Sequence, residues 1–176
     1  MVLARALIIA GLCLVATLLV RNEYRLSVME QKLDYIIYGS DPVEYTPKDL
    51  DCLAKNVYHE ARGENNVGKY AVAQVTLNRL KTGYWGKNVC QVVYAPKQFS
   101  WTNKLPAKPL DLSSWKDSLD IAKATLLGAR VRDLDRSLFY HADYIKTPNW
   151  ADSNSRVTQI GQHIFYNKAK NSWLEL

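Results

Sequence analysis

The fold is decided by an amphipathic segment that ends in Tyr58-His59-Glu60-Ala61-Arg62-Gly63-Glu64. Its start is marked by Thr46 and Pro47, because a threonine side chain caps free backbone N–H groups and proline fits the first helical turn. Gly63 is the expected stop, so we predict a helix over 47–62. One stripe of this helix is apolar and comprises Leu50, Leu53, Ala54, Val57, Tyr58 and Ala61. Such a stripe packs against a core, so the folded domain is expected to begin here.

Two more helices are predicted further along the chain, the first from its apolar composition and the second from apolar residues that share one face. One is predicted over about 67–80, and the other starts at Ser113 or Ser114 and ends before Gly128. The stretch between them, 81–110, contains several glycines and prolines and is predicted to be mostly loop. Loops of this kind often carry binding residues.

Two aromatic segments near the C-terminus have a different pattern. Residues 137–142 and 162–166 are short and rich in types that favour strands, so they are predicted to pair as an antiparallel hairpin. Helices followed by a short antiparallel β-hairpin predict a small, mostly helical α+β fold. With 176 residues, 48% of them apolar, the chain is expected to hold one core plus an N-terminal appendage.

The N-terminus carries an apolar run, 6–20, bounded by Arg5 and Arg21. It lacks a polar face, so we predict an uncleaved signal anchor over 1–21 that holds the protein in the inner membrane, with a cleaved signal peptide as the alternative. Residues 22–46 are predicted to form an amphipathic helical stalk and linker, and 47–176 the main folded domain. That domain is then expected in the periplasm or another extracytoplasmic space.

The net charge limits the class of partner. At +6 the protein favours a polyanion, and nucleic acid, anionic lipid and acidic cell-wall polymer all fit this sign. The chain has no Lys/Arg block and no nucleic-acid-binding motif, so no nucleic-acid partner is expected.

Glu60 is the strongest candidate for acid–base chemistry. It lies seven residues after Leu53 and three after Val57, so helical geometry turns its carboxyl toward the apolar stripe. Burial raises a carboxyl pKa, as a general acid near neutral pH requires. A glutamate within a helix is more often solvated or paired, here with Arg62 or a distant lysine, so both interpretations stay open on spacing alone. Glu64, one turn later, is interpreted as a support for Arg62 or for the backbone near Gly63.

The cysteines fit an exported domain. Cys52 and Cys90 can form a disulfide there, tying the Glu60 helix to the loop region, while Cys13 is interpreted as a small apolar residue.

Three histidines and four aromatic residues are further candidates for a site. His59, His141 and His163 raise the question of zinc, but their spacing matches no zinc motif, so no metal and no cofactor is expected. The aromatic residues fit a carbohydrate cleft and a core equally well; they are Trp85, Trp101, Tyr140 and Trp150.

Several motifs follow one another in a fixed order between about Leu50 and Asn167. They are Cys52-Leu53-Ala54, the 58–64 segment, Ala71-Val72-Ala73-Gln74-Val75, Leu77-Asn78-Arg79, Val89-Cys90-Gln91-Val92-Val93-Tyr94, Gln98-Phe99-Ser100-Trp101, Phe139-Tyr140-His141-Ala142-Asp143-Tyr144, Pro148-Asn149-Trp150-Ala151 and Ile160-Gly161-Gln162-His163-Ile164-Phe165-Tyr166. In this order they resemble the SleB/CwlJ-type cell-wall hydrolases, first associated with spore cortex lysis and found also in other bacteria and in phages.

The resemblance implies a lysozyme-like α+β fold and an enzyme that cleaves peptidoglycan between N-acetylmuramic acid and N-acetylglucosamine. It assigns the catalytic acid to Glu60. The residues it suggests as substrate-binding are Asn78, Gln98, Ser100, Tyr140 and His141, with Arg62 and Glu64 in support; Asn78 could instead position the Glu60 helix.

The resemblance also offers a mechanism that needs one carboxyl group, lytic transglycosylation. Ordinary hydrolysis uses a second carboxylate, for which Asp143 and Asp152 are the candidates. A hydrolytic muramidase and a zinc N-acetylmuramoyl-L-alanine amidase are the alternatives. In place of the peptidoglycan-binding repeat of the spore enzymes we find the apolar run, so the protein is expected to be a phage endolysin or a bacterial wall-remodelling enzyme.

Overall fold

The chain divides into two units, Met1–Tyr35 and Ile36–Leu176. A computed structural model describes residues 2–38, 41–103, 109 and 111–169, and in the first of these ranges it describes the side chains of 10–26 only. The first unit is one helix, α1 (Val2–Tyr35).

Helix α1 contains the predicted anchor and much of the predicted stalk. Within the described part of the chain, no helix is both long and apolar enough to cross a membrane. Part of the predicted span, 6–9, lies outside the described side chains. The membrane anchor is therefore not confirmed.

The second unit has four helices and five strands in its described part. The helices are α2 (Pro47–Ala61), α3 (Asn66–Thr82), α4 (Val89–Val93) and α5 (Leu112–Leu126), with 3-10 turns at Ser100–Asn103 and Ser153–Ser155. The strands are β1 (Ile36–Tyr38), β2 (Ala129–Val131), β3 (Phe139–Ala142), β4 (Arg156–Ile160) and β5 (His163–Tyr166). The mostly helical α+β architecture is confirmed.

Helix α2 begins as the sequence predicts. The Asp49 N–H donates to the Thr46 hydroxyl at 3.2 Å, and the Thr46 N–H donates to the Asp49 carboxylate at 3.1 Å. This reciprocal cap satisfies two backbone donors that the first turn leaves free. The helix ends at Ala61, and Gly63 follows without adopting a left-handed backbone.

Two local predictions of secondary structure are wrong. Helix α5 is capped by Asp111, whose carboxylate accepts from the Ser113 N–H at 3.0 Å, and not by Ser113 or Ser114. Ile36 and Ile37, predicted to lie in the stalk helix, form β1 and pair with Val131 and Arg130 of β2. Pairing with a distant strand overrides the local helical spacing there.

The C-terminal sheet has one strand more than predicted. Its order is β3–β5–β4, all antiparallel, and Tyr140 lies opposite Phe165. The two predicted segments do pair, but the tight turn at Gly161 and Gln162 joins β5 to β4 rather than to β3. Strand β4 has the sequence Arg-Val-Thr-Gln-Ile and lies at the edge of the sheet, so it lacks a strong apolar signal.

Helix α3 is the central element of the second unit. One group of buried side chains joins it to α2, α4 and α5, and another joins it to the strands through Ala71, Val75, Val131, Leu134 and Phe165. All residues from 71 to 79 are buried. A helix that is covered on every side has no face exposed to solvent. Helix α3 therefore holds α2 and the sheet at fixed positions around it.

The predicted disulfide is confirmed. Cys52 of α2 is bonded to Cys90 of α4, and Cys13 is a free, exposed cysteine. The bond attaches the Glu60 helix to the start of the loop region, as expected.

Candidate active site

Glu60 lies in the last turn of α2 and is half-buried. Its Oε2 accepts a hydrogen bond from the Tyr140 hydroxyl at 3.0 Å. Burial raises the pKa of the Glu60 carboxyl, while the Tyr140 hydrogen bond and the charge of Arg79 act in the opposite direction. The carboxyl is thus poorly solvated, as the helical spacing predicts, but it is held by Tyr140 rather than by Arg62 or a lysine.

Tyr140 reaches Glu60 because β3 presents it on the face that meets the helices. Burial and the neighbouring Glu60 raise the pKa of the Tyr140 hydroxyl well above its ordinary value. The hydroxyl therefore keeps its proton and remains a donor to the carboxylate.

Arg79 is a site residue that the sequence analysis missed. It lies on α3, and its Nε donates to the carbonyl oxygen of Leu138 at 2.8 Å, just before β3. The guanidinium carbon lies 5.3, 5.1 and 5.8 Å from the ring centroids of Trp85, Phe99 and Phe139. Burial lowers the pKa of Arg79 to about 10, so the side chain stays charged at neutral pH. The available signal was a charged residue at the end of an apolar helical run.

Glu64 supports the site in a different way from the predicted one. Its Oε2 accepts from the Gln162 N–H at 3.2 Å, and its Oε1 lies 3.8 Å from Nδ1 of His163. Arg62 is exposed, and its guanidinium lies over the Tyr58 ring at 5.1 Å. Glu64 therefore ties the end of α2 to the β4–β5 turn, and Arg62 is not its partner.

The two histidines of the sheet have separate environments. His163 is buried on β5, and its ring meets Tyr140 edge-on with 5.0 Å between centroids. His141 follows Tyr140 on β3 and so points to the opposite face. There its Nε2 lies 3.1 Å from the Tyr166 hydroxyl. The structure brings His163, and not the predicted His141, next to the Glu60–Tyr140 pair.

The other predicted substrate-binding residues are Asn78, Gln98 and Ser100. Asn78 is buried, and its Nδ2 donates to the carbonyl oxygens of Leu134 and Ser137 at 2.8 and 2.9 Å, which fits a positioning role for the segment before β3. Gln98 is half-buried and Ser100 is exposed, both in the loop that follows α4.

The remaining carboxylates of interest have local partners. Asp152 caps the 3-10 turn that follows it, and Asp143 is exposed and accepts from Nε2 of Gln159 at 2.8 Å. In the described part of the chain, no three His, Cys, Asp or Glu side chains are grouped so that they could hold a metal ion.

Comparison with known proteins identifies relatives of the second unit. The family model described as cell wall hydrolase matches residues 63–166, a range that begins three residues after Glu60. The spore cortex-lytic enzymes of Oceanobacillus iheyensis and Halalkalibacterium halodurans are each 33% identical to the chain, over 127 and 129 residues. These matches cover 70% and 72% of this chain but 43% and 37% of the relatives, so the chain spans less than half their length.

Two solved structures share the fold. The catalytic domain of the Bacillus cereus SleB protein is 27% identical, with a TM-score of 0.56 over 72% of this chain and 94% of that one. The catalytic domain of the germination-specific lytic transglycosylase SleB from Bacillus anthracis is 27% identical, with a TM-score of 0.52 over 71% of this chain and 98% of that one. The family match, together with these relatives, shows that this chain belongs to the cell wall hydrolase family.

Proposed function

We propose that this protein is a lytic transglycosylase that cleaves peptidoglycan between N-acetylmuramic acid and N-acetylglucosamine, with Glu60 as acid and then base. The observation that carries the proposal is the half-buried Glu60 carboxyl, whose pKa is raised by burial and whose Oε2 is held by Tyr140. A raised pKa favours the protonated form that a general acid needs. The solved relative from Bacillus anthracis, named a lytic transglycosylase, supports the reaction type.

The reaction follows from one carboxyl group. Glu60 donates its proton to the glycosidic oxygen as the bond from that oxygen to C1 of the muramic acid breaks. The muramoyl O6 then attacks C1, and the Glu60 carboxylate accepts the proton that O6 loses. A 1,6-anhydro ring forms without water, and Glu60 returns to its protonated state.

Tyr140 and Arg79 suit this exchange. Tyr140 can donate to Oε2 whether or not Oε1 is protonated, which reserves Oε1 for the substrate. The charge of Arg79 stabilises the carboxylate that forms when the proton is donated. Together they allow Glu60 to alternate between its two forms in a poorly solvated place.

The surroundings of the other carboxylates favour transglycosylation over hydrolysis. A hydrolytic enzyme of this class uses a second carboxylate near the sugar. Glu64 is held by Gln162, Asp143 by Gln159, and Asp152 caps a turn. The groups that act electrostatically on Glu60 in the described chain are Tyr140 and Arg79.

We place the reaction outside the cytoplasm. A disulfide between Cys52 and Cys90 forms and persists in oxidising compartments, where the peptidoglycan layer also lies.

The test is digestion of purified peptidoglycan followed by mass spectrometry of the released muropeptides. The parent protein is expected to give 1,6-anhydro ends, each lighter by one water than a reducing end. Glu60→Gln is expected to lower the rate at least about a hundredfold, because general acid–base catalysis contributes that much. Glu44→Gln, at an exposed position before α2, serves as the control.

Three results would contradict the proposal. Reducing muramic ends would indicate a hydrolytic muramidase. Full activity of Glu60→Gln would remove Glu60 from the chemistry. Release of free stem peptides, with loss of lysis on adding a metal chelator, would indicate the amidase.

A further inference from the structure

Three aromatic rings contact one another near the end of α2 and take no part in the proposed acid–base exchange. The Trp101 ring stacks on His59, the residue before Glu60, with 4.5 Å between centroids and 20° between planes. The Tyr94 ring meets Trp101 at 5.8 Å with its plane turned by 65°. We call these three rings, of His59, Tyr94 and Trp101, the aromatic platform.

The platform is fixed to the helix that carries Glu60. The Trp101 indole N–H donates to Oδ1 of Asn56 at 3.0 Å, and Nδ2 of Asn56 donates to the Thr76 hydroxyl at 3.1 Å. Asn56 is fully buried and lies one helical turn before Glu60. The indole is thereby held in one orientation relative to the catalytic carboxyl.

The platform is partly accessible to solvent. Tyr94 is 44% exposed, and His59 and Trp101 are half-buried. The Arg79 guanidinium lies over the rings of Trp85, Phe99 and Phe139. Trp150 packs against His141 and Tyr166. Trp85 and Trp150 are half-buried as well, so Trp101 is distinguished by its stacking on the residue before Glu60 and not by its exposure.

The chemistry of the platform suits a neutral, amphipathic ligand. Burial and the nearby charges of Arg62 and Lys55 lower the pKa of His59, so its imidazole is neutral at neutral pH. A neutral imidazole both donates and accepts hydrogen bonds, as sugar hydroxyls do. Flat tryptophan and tyrosine rings offer apolar faces to the C–H groups of a pyranose and keep a polar edge for its hydroxyls.

We propose that the aromatic platform is a sugar-binding subsite, which holds one pyranose ring of the glycan strand next to the bond that Glu60 protonates. The proposal rests on the proposed function, because the strand must be the substrate. A ring bound there is positioned by the side chain next to Glu60 and by an indole fixed one turn earlier. The platform therefore governs affinity for the strand, and Glu60 governs the chemical step.

The experiment measures binding of a four-sugar glycan fragment of peptidoglycan to the Glu60→Gln protein, so that the fragment is not cleaved. Tyr94→Ala in this background is expected to weaken binding roughly three- to tenfold, the effect of one aromatic contact. Because Tyr94 is exposed, its loss is not expected to unfold the domain. Trp101→Phe, which keeps a ring but loses the bond to Asn56, is expected to weaken binding by a similar factor.

Tyr144→Ala is the matched control, since Tyr144 is a 74% exposed tyrosine outside the platform. In the active protein, Tyr94→Ala is expected to raise KM by the same factor and to change kcat by less than about twofold. Equal binding by Tyr94→Ala, Trp101→Phe and the parent would overturn the subsite, as would equal weakening by Tyr144→Ala or no binding of the fragment at all. If Glu60→Gln still abolishes cleavage in that case, the proposed function stands without the platform.

Discussion

Glu60 occupies a position where its charged form is destabilised. Burial raises the pKa of the folded carboxyl above the ordinary value of 4.5, so the folded state binds the proton more tightly than the unfolded chain does. The contribution of Glu60 to the free energy of unfolding therefore falls as the pH rises from about 4.5 through the folded pKa, and this contribution is constant above it. The carboxyl that we propose as catalytic thus costs stability at neutral pH.

This cost predicts that Glu60→Gln stabilises the protein at neutral pH. Glutamine has the same shape, cannot ionise and can still accept from Tyr140. We expect a rise in Tm of about 2–4 °C at pH 7, the shift that about 1 kcal/mol produces in a domain of this size. The difference from the parent should shrink toward pH 4, where Glu60 is protonated in both states. Thermal unfolding of both proteins across this pH range measures it, and a difference independent of pH would contradict the explanation.

At the residue scale, the sequence indicates Glu60 but not its partners. Helical spacing is local, so it places Glu60 on the buried side of its helix. Tyr140 lies 80 residues away and reaches Glu60 only through the packing of β3. The choice between His141 and His163 depends on strand register, because adjacent residues of a strand point to opposite faces. Register was not predictable while β4 was unrecognised.

At the scale of elements, the β4–β5 turn is joined to the end of α2. Gly161 has a φ of +55°, a conformation that side chains disfavour, and Glu64 lies directly against it. A Cβ added at Gly161 would lie 1.8 Å from Oε2 of Glu64. The turn therefore needs glycine both for its backbone and for the approach of the carboxylate that accepts from Gln162.

Replacing Gly161 by alanine should damage both features. The carboxylate of Glu64 must move and lose its bond to Gln162, and the backbone is strained, so we expect a loss of about 2–4 kcal/mol in the free energy of unfolding. Gly63→Ala is the matched control, because nothing lies within 4 Å of its added Cβ and its backbone is not left-handed. Urea denaturation compares the two variants. Equal stabilities would show that the Glu64 contact does not hold the turn.

At the scale of the whole folded unit, α3 explains why a site can form from distant segments. The helix places α2 on one side and the sheet on another, and Arg79 on α3 contacts Phe99 and the start of β3. Helices α2, α3 and α5 and the α+β class were predictable because apolar composition and periodicity are local, whereas α4 lies in the stretch predicted to be mostly loop. The arrangement around α3 was not, because a helix buried on all sides shows no amphipathic pattern that reveals its neighbours.

The disulfide between Cys52 and Cys90 adds a covalent constraint to this unit, and its contribution can be measured. It closes a loop of 38 residues, for which restriction of the unfolded chain stabilises the folded state by up to about 4 kcal/mol. Replacing both cysteines by serine should therefore lower the free energy of unfolding by about 2–4 kcal/mol in urea denaturation. Activity per folded molecule should be largely kept at low temperature, because neither sulfur atom has a role in the proposed mechanism. Cys13→Ser, at a free and exposed cysteine, is the control and should leave stability unchanged. A double variant as stable as this control would show that the bond does not restrain the unfolded chain.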